Sequence, residues 1–145
     1  MGFPKLRHFS ESEWREGADK MDRALLLWLD ELREHSRSEI FIIKAYATKG
    51  HSPRSYHYRG MAVDFYFRYR QDVEAVTERL SPIAQFAFIV NLPFTGIGFY
   101  PDSGPFESWH VDLRPTISQK RTVWIRKDGE YLYGPLALGE ALRSA

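Results

Sequence analysis

A two-residue alternation of apolar and polar side chains begins at position 62 and limits the folds that this chain can adopt. Large apolar side chains fall on one face of the predicted strand, at Val63, Phe65, Phe67 and Tyr69. Asp64 therefore belongs to the opposite face, where Ala62 is small enough to leave room beside it. Gly60 permits a sharp turn before the strand, and that turn can bring His57 back over Asp64. An imidazole and a carboxylate on one side of a sheet form half of a metal site.

A second alternation lies between residues 107 and 113. Trp109, Val111 and Leu113 alternate with His110 and Asp112, so His110 points away from the apolar face of its strand. If the two strands are close in space, His57, Asp64 and His110 supply three protein ligands. Two neutral imidazoles and one carboxylate suit Zn²⁺, and three ligands leave a fourth position open, as in catalytic sites.

Two acidic residues flank His110. Glu107 is placed to act as a general base beside the metal. A regular strand would point Glu107 and His110 to opposite faces, so this role requires a bulge near Ser108 or a loop position for Glu107. Asp112 either orients the His110 ring through its second nitrogen or forms a surface ion pair with Arg114.

These two stretches resemble the zinc D-alanyl-D-alanine carboxypeptidase family, which includes vancomycin-resistance dipeptidases and phage endolysins. The motif Ser-x-His-x-x-Gly-x-Ala-x-Asp is matched from Ser55 to Asp64, and Glu-x-Trp-His is matched from Glu107 to His110. With Ile97–Tyr100 and the preceding hydrophobic helix, the resemblance spans residues 20 to 114.

The resemblance implies that His57, Asp64 and His110 bind zinc and that Glu107 is the general base. It also implies that Ser55 is a hydroxyl that contacts the substrate or supports the ligands. Many members of that family carry an upstream Arg that contacts the substrate, where this chain has Ala47. Arg54 can supply the missing guanidinium. His51 lies in the same polar loop and is expected to be solvated.

Bulk properties indicate one globular domain over residues 1–145. Hydrophobic residues make up 43% of the chain, its net charge is +1, and it has no cysteine. No nucleic-acid partner, no membrane insertion and a monomer are therefore expected. The amino terminus lacks a signal-peptide pattern, which predicts synthesis in the cytoplasm and action on the cell wall after lysis-type release.

The amino-terminal half predicts a helix followed by a strand. Apolar residues spaced by three and four from Trp14 to Leu32 indicate an amphipathic helix, or two helices, ending near Ser36. Ser10 and Glu13 can form a capping box at its start. The unbroken apolar run from Ile40 to Ile43 predicts a strand that is buried on both faces, and therefore a central one.

Between the two motifs, the pattern predicts a helix over 73–83, with Asp72 as N-cap and Ser81-Pro82 as its end. Residues 86–90 are predicted to be a strand. Residues 96–100 are predicted to be another strand, in which the glycines indicate a bulge in preference to a close backbone approach.

The carboxy-terminal part predicts a hairpin and a helix. Asp128-Gly129 is a hairpin turn between residues 122–126 and 130–133, a ribbon that either closes the sheet or binds a partner. Leu136, Leu138 and Leu142 indicate a final helix. The predicted fold class is α+β: a mainly antiparallel sheet with the zinc site on one face and helices packed on the other.

The function predicted from these observations is a zinc metallopeptidase that cleaves peptidoglycan stem peptides. The bond is D-alanyl-D-alanine or L-alanyl-D-glutamate, and a phage-associated setting is expected. Two alternatives remain open. The fold can serve as a catalytically silent metal-binding or interaction module, as the similar hedgehog amino-terminal domain does, or the motif can be incidental in a protein that binds no zinc.

Overall fold

The residues that alternate between apolar and polar from position 62 form the second strand of a six-stranded mixed sheet. The computed structural model describes residues 2–71 and 78–145. Its strands are β1 (Ser38–Lys44), β2 (Ala62–Arg70), β3 (Gly96–Tyr100), β4 (Ser108–Asp112), β5 (Thr122–Lys127) and β6 (Glu130–Tyr133). Their order in the sheet is β1-β2-β4-β3-β5-β6. All neighbouring pairs are antiparallel except β3 and β5.

Three α-helices accompany this sheet in the described part of the chain. They are α1 (Arg23–Ser36), α2 (Pro82–Val90) and α3 (Pro135–Ser144). One buried cluster contains Leu29 of α1, Ile89 of α2 and Leu142 of α3 together with the inward side chains of the strands. The α+β prediction is therefore confirmed: helices pack on one face of a mostly antiparallel sheet.

The amphipathic helix predicted after Trp14 is shorter than the periodicity indicated. Two 3-10 turns come first, Glu11–Trp14 and Ala18–Lys20, and α1 begins only after Asp22. The Asp22 carboxylate caps α1 by accepting from the backbone N–H of Leu25 at 3.1 Å. The predicted Ser10–Glu13 capping box is present, but it opens the first 3-10 turn.

The prediction that 40–43 forms a central strand is wrong, because β1 is an edge strand. Ile40 and Ile42 do face the core. On the other face, Phe41 stacks on Tyr66 with ring centroids 5.1 Å apart, and the Arg15 guanidinium lies 5.5 Å from the Phe41 ring. A local aromatic pair therefore replaces the second buried layer that a continuous apolar run usually indicates.

The prediction that 86–90 is a strand is also wrong, since these residues belong to α2. Ser81-Pro82 begins that helix instead of ending one: Ser81 is the N-cap, its hydroxyl accepts from the N–H of Ala84 at 3.3 Å, and Pro82 occupies the first turn. A short apolar run fits a buried helix as well as a strand. Residues 73–77 of the helix predicted over 73–83, and its Asp72 cap, lie outside the described residues. In the described remainder the prediction is wrong, because 78–81 are not helical and 82–83 already belong to α2.

The carboxy-terminal predictions are confirmed. β5 and β6 pair around Asp128 and Gly129, whose φ angles of 53° and 80° are those of a tight hairpin turn. β6 is exposed along its whole length at the free edge of the sheet. The predicted final helix is α3. No helix of the described residues is long and apolar enough to cross a membrane.

Candidate metal centre

The first candidate ligand, His57, is held by a 3-10 turn before β2. Ser55 caps this turn, since its hydroxyl accepts from the backbone N–H of His57 at 3.2 Å. Gly60 ends the turn at a φ of 66°, and a Cβ there would lie 2.1 Å from the carbonyl oxygen of Lys20. Only glycine fits this backbone. The turn thus folds His57 back over the start of β2.

Asp64 and His110 meet because β2 and β4 pair in register. Asp64 lies opposite His110, and both point to the face of the sheet that carries no helix. The Asp64 Oδ1 atom is 2.9 Å from His110 Nδ1, and its Oδ2 atom is 3.3 Å from His57 Nε2. Donor atoms of the three residues all lie within 4.8 Å of one another. A buried His57–Asp64–His110 group that can bind a metal ion is therefore present.

The second nitrogen of each imidazole is already engaged. His57 Nδ1 lies 2.8 Å from the carbonyl oxygen of Ala45, which can only accept, so this nitrogen carries the proton. His110 Nε2 lies 2.7 Å from Oδ2 of Asp112, another acceptor. These bonds fix the ring tautomers so that His57 Nε2 and His110 Nδ1 both turn toward Asp64. In the neutral rings, two lone pairs and a carboxylate converge on one point, which is the donor arrangement that a metal ion needs.

Asp112 is fully buried and contacts both His110 and Arg114, which were predicted as alternative partners. It accepts from His110, as above, and from Arg114 through Nη2 at 2.7 Å and Nε at 2.9 Å. The pair with Arg114 is therefore buried on the carboxylate side instead of lying at the surface. The Arg114 guanidinium is itself fixed between the rings of Tyr56 and Trp124, 5.2 and 4.8 Å from their centroids.

Electrostatics in the metal-free cluster follow from these contacts. Burial opposes the charged form of Asp64, yet the hydrogen bond with His110 and the contact with His57 outweigh it and hold the pKa of Asp64 well below its usual range. Burial alone would lower the pKa of His110, but its hydrogen bonds to Asp112 and Asp64 raise that pKa to about 9. A proton therefore sits on His110 at neutral pH when no metal is bound.

Glu107 is not brought to this cluster. Its carboxylate accepts from Gln85 Nε2 at 2.8 Å and from Arg79 Nη1 at 3.2 Å, and Gln85 in turn accepts from the indole of Trp109 at 2.7 Å. Trp109 belongs to the core face of β4, so Glu107 lies on the helix side of the sheet. Glu107 does occupy the predicted loop position, since β4 begins at Ser108 and pairs with β3 without a bulge, but from that loop its carboxylate turns to Arg79 and Gln85.

The cluster opens into a cleft of about 770 Å³. Its lining includes Arg54 and Ser55, which were predicted at the site, and His51, which was expected to be merely solvated. The β5–β6 hairpin supplies one wall through Trp124, Arg126, Tyr131 and Tyr133. The hairpin prediction left open whether this ribbon closes the sheet or binds a partner. In the structure the hairpin closes the sheet and also forms a wall of the cleft.

Two features of the sequence, the glycines of β3 and the histidine at position 51, mark the cleft in addition to the predicted ligands. Gly96 pairs with Asp112 and Gly98 with His110, in an unbroken register of five residue pairs. A Cβ at Gly96 would lie 2.1 Å from the Asp112 carboxylate, so this glycine makes room for a buried acid. The prediction of a bulge at these glycines is therefore wrong, because they admit side chains from neighbouring strands.

The ring of His51 stacks on that of His57, with centroids 4.2 Å apart and an angle of 16° between the planes. The loop that carries it is held by Tyr58, whose hydroxyl donates to the His51 carbonyl at 2.7 Å and accepts from its N–H at 2.8 Å. His51 Nε2 is buried and has no hydrogen-bond partner in the described part of the chain. Burial and the neighbouring His57 lower the pKa of His51.

No protein-family model matches this chain, and no curated protein or solved structure matches it either.

Proposed function

We propose that this protein is a zinc-dependent hydrolase of peptide bonds in peptidoglycan stem peptides. The observation that carries the proposal is the convergence of His57 Nε2, His110 Nδ1 and the Asp64 carboxylate at the floor of an open cleft. Ligands at about 2.1 Å from a tetrahedral zinc ion stand about 3.4 Å apart. The Asp64 contacts of 3.3 and 2.9 Å are close to that spacing.

The donor set favours zinc for chemical reasons. Two imidazoles and one carboxylate match three-ligand catalytic zinc sites, and the chain has no cysteine that could close a structural site. Zinc held there would act as a Lewis acid that lowers the pKa of a coordinated water and polarises a carbonyl group. The Ala45 carbonyl and the Asp112 carboxylate keep both rings turned toward Asp64, where His57 and His110 would hold the ion.

A proton acceptor is needed beside the ion, and His51 is better placed for it than Glu107. His51 Nε2 has no hydrogen-bond partner within the described ranges, and the ring lies against His57. Its lowered pKa leaves the imidazole neutral at neutral pH, so Nε2 is able to take a proton and return it to a leaving amine. Glu107 is bound to Arg79 and Gln85 on the other face.

The charge of the cleft supports an anionic peptide as substrate. Arg54 and Arg126 line it, and neither forms an ion pair with a described carboxylate. Stem peptides carry free carboxylates, which guanidinium groups bind well. Arg54 thus replaces the upstream Arg that many zinc D-alanyl-D-alanine carboxypeptidases have and this chain lacks. Both D-alanyl-D-alanine and L-alanyl-D-glutamate bonds lie next to such a carboxylate.

A second candidate function is a metal-binding module without hydrolytic activity. The engagement of Glu107 by Arg79 and Gln85 favours it, because the acid expected to serve as general base does not reach the cluster.

The test pairs metal content with turnover. Purified protein, His51→Gln and Glu107→Gln are assayed for bound zinc and incubated with peptidoglycan fragments, and the products are identified by mass spectrometry. We expect about one equivalent of zinc in all three. Fragments should be released by the parent and by Glu107→Gln, and at least about a hundredfold more slowly by His51→Gln.

Zinc binding with no cleavage by any of the three would favour the silent module. Absence of zinc at neutral pH would contradict the ligand assignment. Loss of turnover in Glu107→Gln alone would return the base role to Glu107.

A further inference from the structure

One row of paired residues crosses the sheet at the level of the His57–Asp64–His110 group. Asp64 pairs with His110, His110 with Gly98, Gly98 with Trp124, and Trp124 with Tyr133. Side chains paired across strands share a face, so this row lies along the cleft floor. Gly98 is the single gap in it, between the candidate ligand His110 and the indole of Trp124.

The gap at Gly98 is filled by the indole ring. A Cβ at Gly98 would lie 2.5 Å from both Cε2 and Nε1 of Trp124, closer than any side chain tolerates. Because Gly98 has none, the indole packs directly against the strand, with its ring centroid 5.2 Å from that of His110. Arg114 holds the ring from another side. Trp124 is therefore fixed beside the metal cluster by its packing.

The indole nitrogen makes no hydrogen bond of good geometry. Trp124 is only 4% exposed, and its Nε1 atom is buried without a hydrogen-bond partner in the described part of the chain. Buried N–H groups are nearly always paired, and one left without a partner is destabilising. Trp124 also lines the cleft. An unpaired donor in that position indicates a place where a ligand supplies the acceptor.

Tyr100 provides a second donor at the same place. It lines the cleft, and its hydroxyl lies near enough to the Trp124 indole to interact with it, although no hydrogen bond between the two satisfies the indole N–H. Burial and the nearby Asp64 raise the pKa of the Tyr100 hydroxyl, so the group keeps its proton. A phenol and an indole N–H both able to donate fit a single acceptor oxygen better than a cation or an apolar group.

We propose that the Trp124 N–H and the Tyr100 hydroxyl form a donor pair that binds a carbonyl or carboxylate oxygen of the peptide held at the His57–Asp64–His110 cluster. The identity of this ligand rests on the proposed function, whereas the donor pair itself rests on geometry. The pair lies beyond His110 from Asp64, on the hairpin side of the cleft. It therefore fixes the part of the peptide that extends toward β5 and β6, while the arginines attract its charge.

The direct test observes the indole proton. The protein labelled with ¹⁵N-tryptophan has four indole signals, one for each Trp of the sequence, and Trp124→Phe identifies the relevant one. N-acetyl-D-alanyl-D-alanine is added to the zinc-loaded protein. We expect the Trp124 indole proton to move downfield while the other three signals stay in place.

Affinity for the same peptide gives a second readout by isothermal titration. Trp124→Phe and Tyr100→Phe should each lose about tenfold in affinity, since each removes one neutral hydrogen bond. Gly98→Ala should cause a similar loss by displacing the indole. Trp28→Phe, which makes the same chemical change in α1 far from the cleft, should bind as the parent does.

Two outcomes separate this inference from the proposed function. If the peptide binds and is cleaved but the Trp124 signal stays in place, the donor pair is wrong and the peptidase proposal stands. If the peptide does not bind, acetate is used as a simple oxygen acceptor. A Trp124 signal that moves with acetate supports the donor pair and counts against the peptide, and a signal that moves with neither overturns the inference.

Discussion

Asp64 and Glu107 are two carboxylates at the same sheet, and they differ in the kind of partner that each has. Both are largely hidden, with 19% and 17% of their side-chain surface exposed. Glu107 is bound by Arg79, a permanent cation, and by a neutral amide. Asp64 is bound by two imidazoles, which carry charge only when protonated. The charge of Glu107 is therefore balanced at any ordinary pH, whereas Asp64 needs protons or a metal ion.

The two carboxylates also differ in whether a ligand can reach them. The Arg79 guanidinium that binds Glu107 is itself covered by the Phe106 ring, 4.2 Å from its centroid, and Gln85 of α2 closes the other side. Asp64 opens into the cleft. A buried carboxylate thus becomes a candidate site when its partners can change protonation and a ligand can reach it. A buried carboxylate that is bound by a permanent cation and closed off from ligands has a structural role instead.

The largest effect should come from removing the carboxylate with the exchangeable partners. Asp64→Ala should weaken zinc binding by more than about a hundredfold, because it deletes a ligand and leaves two imidazoles facing each other. Zinc retained after dialysis is measured by atomic emission. Glu107→Gln is the matched control on the other face, and it should retain the metal. An Asp64→Ala protein that still holds one equivalent would place the site elsewhere.

The second prediction concerns pH in the chelator-treated protein. The pKa of His110 is raised from 6.5 to about 9, so its protonated form stabilises the fold below pH 6.5 and this contribution is lost as pH rises through 9. The free energy of unfolding should fall by on the order of 3 kcal/mol across that window. Urea titrations at several pH values measure it.

Zinc should reverse this dependence, because metal binding requires His110 to lose its proton. Zinc affinity should therefore weaken as pH is lowered from 9. A metal-free protein whose stability is flat over the same window would contradict the contacts assigned to His110.

A smaller effect is expected from Asp112, which orients His110 without touching the metal position. Asp112→Asn should weaken zinc binding by about 10- to 100-fold, since the imidazole loses its charged acceptor. Competition with a chromophoric chelator measures this affinity. An affinity equal to that of the parent would show that Asp112 serves only its pair with Arg114.

The smallest effect should be that of Glu107→Gln on stability. Replacing the carboxylate weakens its hydrogen bonds to Arg79 and Gln85, and we expect a loss of about 1–2 kcal/mol in the free energy of unfolding. Zinc affinity should not change. Denaturant unfolding measures the loss. Unchanged stability would argue that the Arg79 contact contributes nothing in solution.

Strands with strict alternation could be predicted from the sequence, and so could the tight hairpin. β2 and β4 were identified because their large apolar residues face the core and their polar residues do not, and Asp128-Gly129 marked the turn. The same alternation placed Asp64 and His110 on a common face. Gly60 was visible as a turn residue, whereas Ser55 was expected only as a hydroxyl at the site, and its hydrogen bond to the backbone of His57 could not be read from the sequence.

Alternation could not predict the order of the strands, and it could not tell whether an unbroken apolar run forms a central strand, an edge strand or a helix. Ile40–Ile43 reads as central, but Phe41 finds its partner in Tyr66 on an edge. Residues 86–90 read as a strand, and only the cap at Ser81 with Pro82 marked a helix. Glu107 lies in the loop that its role as a base allowed, but alternation does not tell which way a loop side chain turns, and this one turns to Arg79 and Gln85.

The pairing of Asp64 with His110 also has a consequence for the order of events during folding. The two residues are 46 positions apart in the chain, so the donor atoms meet only after β2 and β4 have joined. A zinc finger folds around its ion, but here the framework has to form first. We expect an added ion to enter at the end of refolding, leaving the folding rate unchanged and lengthening the lifetime of the finished protein.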